Sequence, residues 1–195
     1  MTVAISAAEF GRIEDALLRA GYASDDIAWS ESCGPPANAD EFASEAIYVI
    51  CNSGMKNTVA RMIFDRIMPH VRAGWSAAEG FGHKGKVAGI DWIWRERAFL
   101  FTEFMLAEDK VEFCATLPWI GGITKYHLAK NFGAQVAKPD VHLQRLADRE
   151  GVTCQALCER LADVSGYKVA TVDLLLWRAC AVGILDSRTG RINAP

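Results

Sequence analysis

The chain has 195 residues, of which 51% are hydrophobic and 23% charged, and its formal net charge at pH 7 is −3. This composition is typical of a globular protein, and no apolar run reaches the ~18 residues that a membrane-spanning helix needs. Residues 1–18 contain acidic side chains and no long apolar run, which argues against a signal peptide. Six scattered cysteines then predict reduced thiols in a cytoplasmic protein, without a metal site.

Apolar periodicity predicts a protein that is almost entirely helical. The predicted helices cover residues 7–20, 40–50, 57–71, 91–106, 109–116, 124–132, 153–164 and 169–182. Residues 30–39 contain two prolines and a glycine and are predicted to be a loop, and the glycine-rich residues 74–89 a connector. Few segments show the alternation that is typical of strands, so we expect few or none.

The charge is distributed unevenly along these elements. Residues 1–50 carry two basic and nine acidic side chains, whereas residues 51–100 carry eight basic and four acidic ones. A basic middle segment permits a DNA-facing surface on an acidic protein, because phosphate contacts sense the local potential. Taken alone, the same pattern is equally compatible with an ordinary uneven surface.

The most informative segment is the stretch Leu-Pro-Trp-Ile-Gly-Gly-Ile-Thr at residues 117–124. Pro118 ends the helix before it, and Ile120 is predicted to fill the core between two helices. Gly121 and Gly122 permit a positive φ and the close approach of a ligand. The next helix begins at Thr124, so its free amides and positive end would form a site for a DNA phosphate without base preference.

This stretch and the residues after it resemble the helix-hairpin-helix DNA glycosylase superfamily, the endonuclease III-like enzymes. Those enzymes typically carry Leu-Pro-Gly-Val-Gly-x-x-Thr-Ala and later Val-Asp-Thr-His-Val with an arginine; this chain has Asp140-Val141-His142-Leu143 and Arg145. The resemblance spans about residues 40–185 in the order of helices and is specific only at 117–145. It implies an all-α, two-lobed fold with an active-site cleft between the lobes. One lobe would comprise residues 48–133, with the hairpin, and the other residues 1–47 and 134–195.

By the same resemblance, Asp140 is the catalytic aspartate. A carboxylate near C1′ of the deoxyribose stabilises an oxocarbenium-like transition state or activates water, once the base has been flipped out of the duplex. Asp140 also precedes the helical pattern of residues 141–147, so a helix N-cap is the alternative role. The two roles are compatible with each other.

Two departures from the family narrow the expected reaction. Relatives that also cut the DNA backbone carry a lysine directly before the motif threonine, for a Schiff base, and Ile123 occupies that position here. The resemblance therefore implies a monofunctional enzyme without lyase activity. Cys180 is the only cysteine after residue 158, so no iron–sulfur cluster is expected. No cofactor is predicted, which leaves open a monovalent cation at the hairpin.

Several further side chains are candidates for contacts with DNA. Asn52 and Met55 lie where the family places its intercalating loop, and an ordinary polar turn is the alternative. Lys84 and Lys86, among glycines, are predicted to contact phosphate, as is Lys125. Exposed lysines without a ligand are equally compatible with the sequence.

A base pocket is expected from residues of several segments. Glu45 lies in a Phe-Ala-Ser-Glu stretch similar to the Trp-Leu-Ser-Glu stretch of adenine glycosylases, where the glutamate protonates the leaving base. A surface carboxylate is the alternative. The side chains expected beside a flipped base are Trp29, Tyr48, Trp119 and His142.

Together these patterns predict a monofunctional DNA glycosylase that acts on double-stranded DNA in the cytoplasm, at the nucleoid. We expect a monomer with no membrane association and no obligate protein partner. The excised base is either a damaged base or a hypermodified base of the phage type, and the latter would make this a defence enzyme. The alternative function is that of a non-catalytic helix-hairpin-helix DNA-binding module.

Overall fold

The computed structural model describes residues 5–193, which form ten α-helices, one short 3-10 turn and no named strand. This confirms the predicted all-α class. The helices are α1 (Ala7–Arg19), α2 (Ala23–Ser32), α3 (Ala39–Asn52), α4 (Asn57–Arg72), α5 (Lys84–Leu106), α6 (Lys110–Ala115), α7 (Thr124–Asn131), α8 (Val141–Glu150), α9 (Cys154–Ser165) and α10 (Val169–Ala181). Within the described range, none of these helices combines the length and apolarity needed to cross a membrane.

The helices differ from the sequence-based expectation at several positions, of which three matter most here. Helix α2 was not predicted, and it occupies the first part of the expected loop at residues 30–39. Helix α3 begins one residue before Asp40, because the side chain of Asn38 accepts a hydrogen bond from the amide of Glu41 and so caps the helix. Helix α5 begins at Lys84, inside the predicted glycine-rich connector.

The chain divides into two compact units. The inserted unit comprises residues 35–132, and the terminal unit is built from the chain on either side, residues 5–34 and 133–193 as described. The division differs from the predicted lobes at its first boundary. Helix α3 lies wholly in the inserted unit, since it packs against α4, α5 and α7.

The terminal unit has a core formed by α1, α8, α9 and α10, with α2 packed on α10. Leu143 and Leu146 of α8 are buried in this core, and Gly151 ends the helix in a left-handed conformation. The start of α8, which carries Asp140, is therefore held by packing on the rest of the unit.

The inserted unit has an aromatic core. Phe42 of α3 stacks on Phe132 at a ring-centroid distance of 5.3 Å, and Phe104 of α5 lies 4.8 Å from Phe132. Phe113 of α6 approaches Phe42 and Phe104 edge-on. Full burial of a phenylalanine stabilises a fold by roughly 1.5–3 kcal/mol, so this cluster anchors α6 and the end of α7 on α3 and α5.

Candidate functional site

Residues 110–131 form a helix, a tight turn and a second helix, as the sequence predicts. Helices α6 and α7 pack against each other, and the turn between them is held by its own apolar side chains. Leu117 and Ile120 are each 3% exposed, so Ile120 fills the core as expected and does not face solvent. Pro118 is half-buried against Gly89 of α5.

The positive φ in this turn falls on Trp119, at 64°, and not on Gly121 or Gly122. The two glycines thus do not use the positive φ that they permit, and both have open space where a Cβ would stand. A left-handed conformation costs an ordinary residue roughly 1–2 kcal/mol, and the resembled family has glycine at this position. Packing of the Trp119 ring elsewhere in the inserted unit compensates for that cost.

The Trp119 ring lies on the first turns of α5. Its Nε1 donates a hydrogen bond to the carbonyl of Gly85 at 2.8 Å, and its ring meets the His83 ring edge-on at 5.0 Å. A Cβ at Gly85 would lie 2.5 Å from the ring, and a Cβ at Gly89 3.1 Å from it. These two glycines are one helical turn apart and form the surface that receives the tryptophan.

The beginning of α7 has amide groups available for an anion. Ile123 is the N-cap residue and supplies no capping side chain, while Thr124 Oγ1 accepts only from the amide of Gly121, at 2.7 Å. Among the described residues, the amides of Gly122 and Ile123 have no protein acceptor. Gly121 and Gly122 are exposed, with open space where a Cβ would stand. An oxyanion can therefore approach these amides closely.

The three candidate lysines have different surroundings. Lys84 is exposed at the first position of α5. Lys125 forms a salt bridge of 2.5 Å with Glu112 of α6, which raises the pKa of the lysine. Lys86 is only 4% exposed, its ammonium donates to the carbonyl of Ser53 at 2.6 Å, and burial lowers its pKa. Lys86 is thus a structural residue, and its burial argues against the predicted contact with phosphate.

The turn after α3 adjoins this region of the inserted unit. Asn52 is the last residue of α3, and the amide of Met55 donates to its carbonyl at 3.1 Å. Lys86 ties this turn to α5, and Trp119 ties α5 to the hairpin. These contacts link the turn after α3, the start of α5 and the hairpin within the inserted unit.

Asp140 in the terminal unit is the N-cap of α8. Its Oδ1 accepts hydrogen bonds from the amides of His142 at 2.9 Å and Leu143 at 3.1 Å. Its other oxygen, Oδ2, has no hydrogen-bond partner among the described residues, and the side chain is half-buried. The carboxylate is therefore oriented through one oxygen and has the other available.

Other polar groups surround this capped carboxylate. His142 Nδ1 lies 3.0 Å from the hydroxyl of Ser187, a residue that is 4% exposed. The same hydroxyl interacts with the thiol of Cys180, and this interaction lowers the pKa of the thiol. Burial, with a smaller contribution from Asp140, raises the pKa of Cys180 to about 12, so this thiol is protonated at neutral pH. Ser187 was not predicted, because no pattern near residue 187 indicates that it contacts His142.

Glu45 of α3 belongs to the inserted unit and is held by Asn131 of α7. Asn131 Nδ2 donates to Glu45 Oε1 at 2.6 Å, and burial raises the pKa of the glutamate. Asn131 is 8% exposed, and its Oδ1 has no hydrogen-bond partner in the described structure. A carboxyl group that keeps its proton to a higher pH than usual suits a general acid. Asn131 was not predicted, since 86 residues separate it from Glu45.

The expected pocket aromatics lie in different surroundings. Tyr48 is one turn after Glu45, with the Arg61 guanidinium 4.6 Å from its ring centroid and Phe64 edge-on at 5.5 Å. Its hydroxyl donates to Asn57. Trp29 lies on α2 of the terminal unit and is 46% exposed.

Within residues 5–193, no group of three or more His, Cys, Asp or Glu side chains could hold a metal ion. None of the six cysteines, all of which lie within the described residues, forms a disulfide. No family model, curated protein or solved structure matches this chain. Its function is therefore inferred from its own side chains and their geometry.

Proposed function

We propose that this protein is a monofunctional DNA glycosylase that hydrolyses the N-glycosidic bond of an altered base. One observation carries the proposal: residues 117–124 fold into a tight turn between two helices, with open amides at Gly122 and Ile123. The chain then continues to Asp140, a capped carboxylate with one available oxygen. The open amides suit the anionic phosphodiester backbone, and the carboxylate suits a positively charged sugar.

Two carboxyl groups with different environments support the chemistry. Asp140 would stabilise the oxocarbenium-like sugar or activate water through Oδ2. Glu45, whose pKa is raised by burial, would protonate the leaving base. Burial makes it easier for Glu45 than for an exposed glutamate to carry a proton at neutral pH, as this role requires.

Release of the base without cutting of the backbone is supported by the side chains at the start of α7. Ile123 cannot form a Schiff base, and the Lys125 ammonium is engaged by Glu112. The product is accordingly an abasic site. The substrate is a base altered by damage or a hypermodified base of the phage type.

A non-catalytic DNA-binding module is the second candidate function, and one observation favours it. Capping of α8 through Oδ1 accounts for an aspartate at position 140 without any chemistry. Under this alternative the hairpin grips duplex DNA, and Oδ2 is solvated. The two functions differ in whether any base is released.

The test compares the wild type with Asp140→Asn on duplexes that carry a panel of damaged bases and on hypermodified phage DNA. Asparagine caps helices as well as aspartate does, so stability should be retained, while Asp140→Ala should lose about 1 kcal/mol. We expect free base and alkali-labile sites from the wild type. We expect release to fall by at least about 100-fold in Asp140→Asn, with DNA affinity kept.

Asp148→Asn is the matched control, because it makes the same change at an exposed position of the same helix. Binding without release from any of these duplexes would favour the DNA-binding module. Strand breaks that form without alkali would contradict the monofunctional assignment.

A further inference from the structure

Three polar side chains of the terminal unit interact near Asp140. They are His142 of α8, Ser187 of the turn that follows α10, and Cys180 of α10. The Ser187 hydroxyl lies 3.0 Å from His142 Nδ1, and its interaction with the Cys180 thiol lowers the pKa of that thiol. The His142 amide donates to Asp140 Oδ1, so the imidazole and the carboxylate are held in the same helical turn.

The direction of the hydrogen bond between Ser187 and His142 follows from the strengths of the acceptors around the hydroxyl. The serine hydroxyl has one proton and two neighbours that could accept it. An imidazole nitrogen is a good acceptor, whereas a sulfur that already carries a proton is a weak one. The thiol keeps its proton because burial raises the pKa of Cys180 to about 12. The favoured arrangement is therefore the Ser187 O–H donating to His142 Nδ1.

A neutral imidazole whose Nδ1 accepts a hydrogen bond carries its proton on Nε2. His142 Nε2 has no hydrogen-bond partner among the described residues. It is therefore a donor without a protein acceptor, two residues after Asp140. Ser187 is 4% exposed, so water does not readily replace its hydroxyl.

We infer that Ser187 fixes His142 in the Nε2–H tautomer, so that His142 donates a hydrogen bond to an oxygen of the bound nucleotide and does not act as a general base. Ser187 is then a positioning residue, and activation of water falls to Asp140. The role toward a nucleotide rests on the proposed function, whereas the tautomer does not.

The first test is nitrogen-15 NMR of the histidine rings in the full-length protein near neutral pH, with His142 assigned by its loss in His142→Gln. We expect an unprotonated Nδ1 and a protonated Nε2 in the wild type. Ser187→Ala should give a mixture of tautomers, and Ser187→Thr should restore the wild-type signal because it keeps the hydroxyl. A wild-type His142 protonated at Nδ1 would overturn the inference without any variant.

The second test separates a donor from a base, using base release from the substrate identified above. The glutamine amide can donate from about the position of Nε2 but cannot take a proton from water. We expect His142→Gln to retain activity within about tenfold of the wild type, and His142→Ala to fall clearly below it. Equal loss in both variants would contradict the donor role. If no duplex releases a base, the proposed function fails, while the NMR result still decides the tautomer.

Discussion

Glu45 is a carboxyl group whose surroundings favour its neutral form. Burial removes the water that would otherwise solvate the charge and raises the pKa, whereas the hydrogen bond that Asn131 donates to Oε1 lowers the pKa by less. Arg61 lowers the pKa of Glu45, but by less than burial raises it. Ionisation of Glu45 at high pH therefore costs the fold stability. The proton that Glu45 retains at lower pH is the proton that a general acid needs.

The first prediction concerns the pH dependence of stability. Since the folded-state pKa of Glu45 is raised, its stabilising contribution is complete below the unfolded-state pKa of about 4.3 and declines as the pH rises through the folded-state pKa. Glu45→Gln does not titrate and can keep the bond to Asn131. Urea denaturation from pH 4.5 to 8 should show the variant gaining stability relative to the wild type as the pH rises.

Glu103→Gln is the control, since Glu103 is an exposed residue of α5 whose carboxylate has no described salt bridge. Its stability curve should parallel that of the wild type. Parallel curves for Glu45→Gln as well would mean that Glu45 titrates as an ordinary surface carboxylate.

At the scale of elements, the hairpin turn is positioned by its contact with α5. Trp119 adopts a left-handed backbone, which brings its ring onto Gly85 and Gly89. Gly85 and Gly89, two of the glycines that predicted a connector, are thus packing positions inside a helix. Their lack of a side chain is what lets the two elements approach each other.

The second prediction is a double-mutant cycle between these elements. Gly85→Ala should destabilise the wild type by about 1–3 kcal/mol, because the new methyl group displaces the Trp119 ring. In a Trp119→Gly background the same change should stabilise α5 by up to about 1 kcal/mol, the usual helix preference of alanine over glycine. Free energies of unfolding in urea give the coupling between the two positions.

Gly82→Ala serves as the comparison, because a Cβ at Gly82 meets no atom within 4 Å. It should be nearly neutral in both backgrounds. If Gly85→Ala changes stability equally with and without Trp119, the packing of the Trp119 ring does not depend on this glycine.

At the scale of the whole molecule, each unit has its own core. The inserted unit is one continuous segment, and the terminal unit is assembled from two segments. Those segments meet within the terminal unit at Gly34 and Gly133, where a Cβ on Gly133 would lie 2.7 Å from the Gly34 Cα. Gly133 also has a φ of +85°, so glycine is required there on both counts.

The third prediction is that residues 35–132 fold when expressed alone. Their aromatic core comes entirely from the segment's own helices, through Phe42, Phe104, Phe113 and Phe132. We expect a helical circular dichroism spectrum and cooperative thermal unfolding, and Phe42→Ala should abolish both at the usual cost of about 3–5 kcal/mol. A non-cooperative transition in the unmutated segment would contradict an independent core.

Much of the local structure could be predicted because it depends on residues close together in the chain. The helix–turn–helix at residues 110–131 and the cap at Asp140 follow from contacts within about four residues. The buried position of Ile120 could be predicted because it is an apolar residue between two helices. Helix α2 could not be recognised, since its pattern has little amphipathic character and its residues adjoin a proline-rich loop.

Short-range hydrogen bonds and caps set the helical class, the tight turn at residues 117–124 and the oriented carboxylate of Asp140, so these features could be predicted from the sequence. Contacts between distant residues bury Lys86, give Trp119 rather than a glycine the positive φ, and place Asn131 and Ser187 against Glu45 and His142. Those pairs lie 86 and 45 residues apart. Packing of whole helices brings such residues together, and no local pattern records which surfaces will meet.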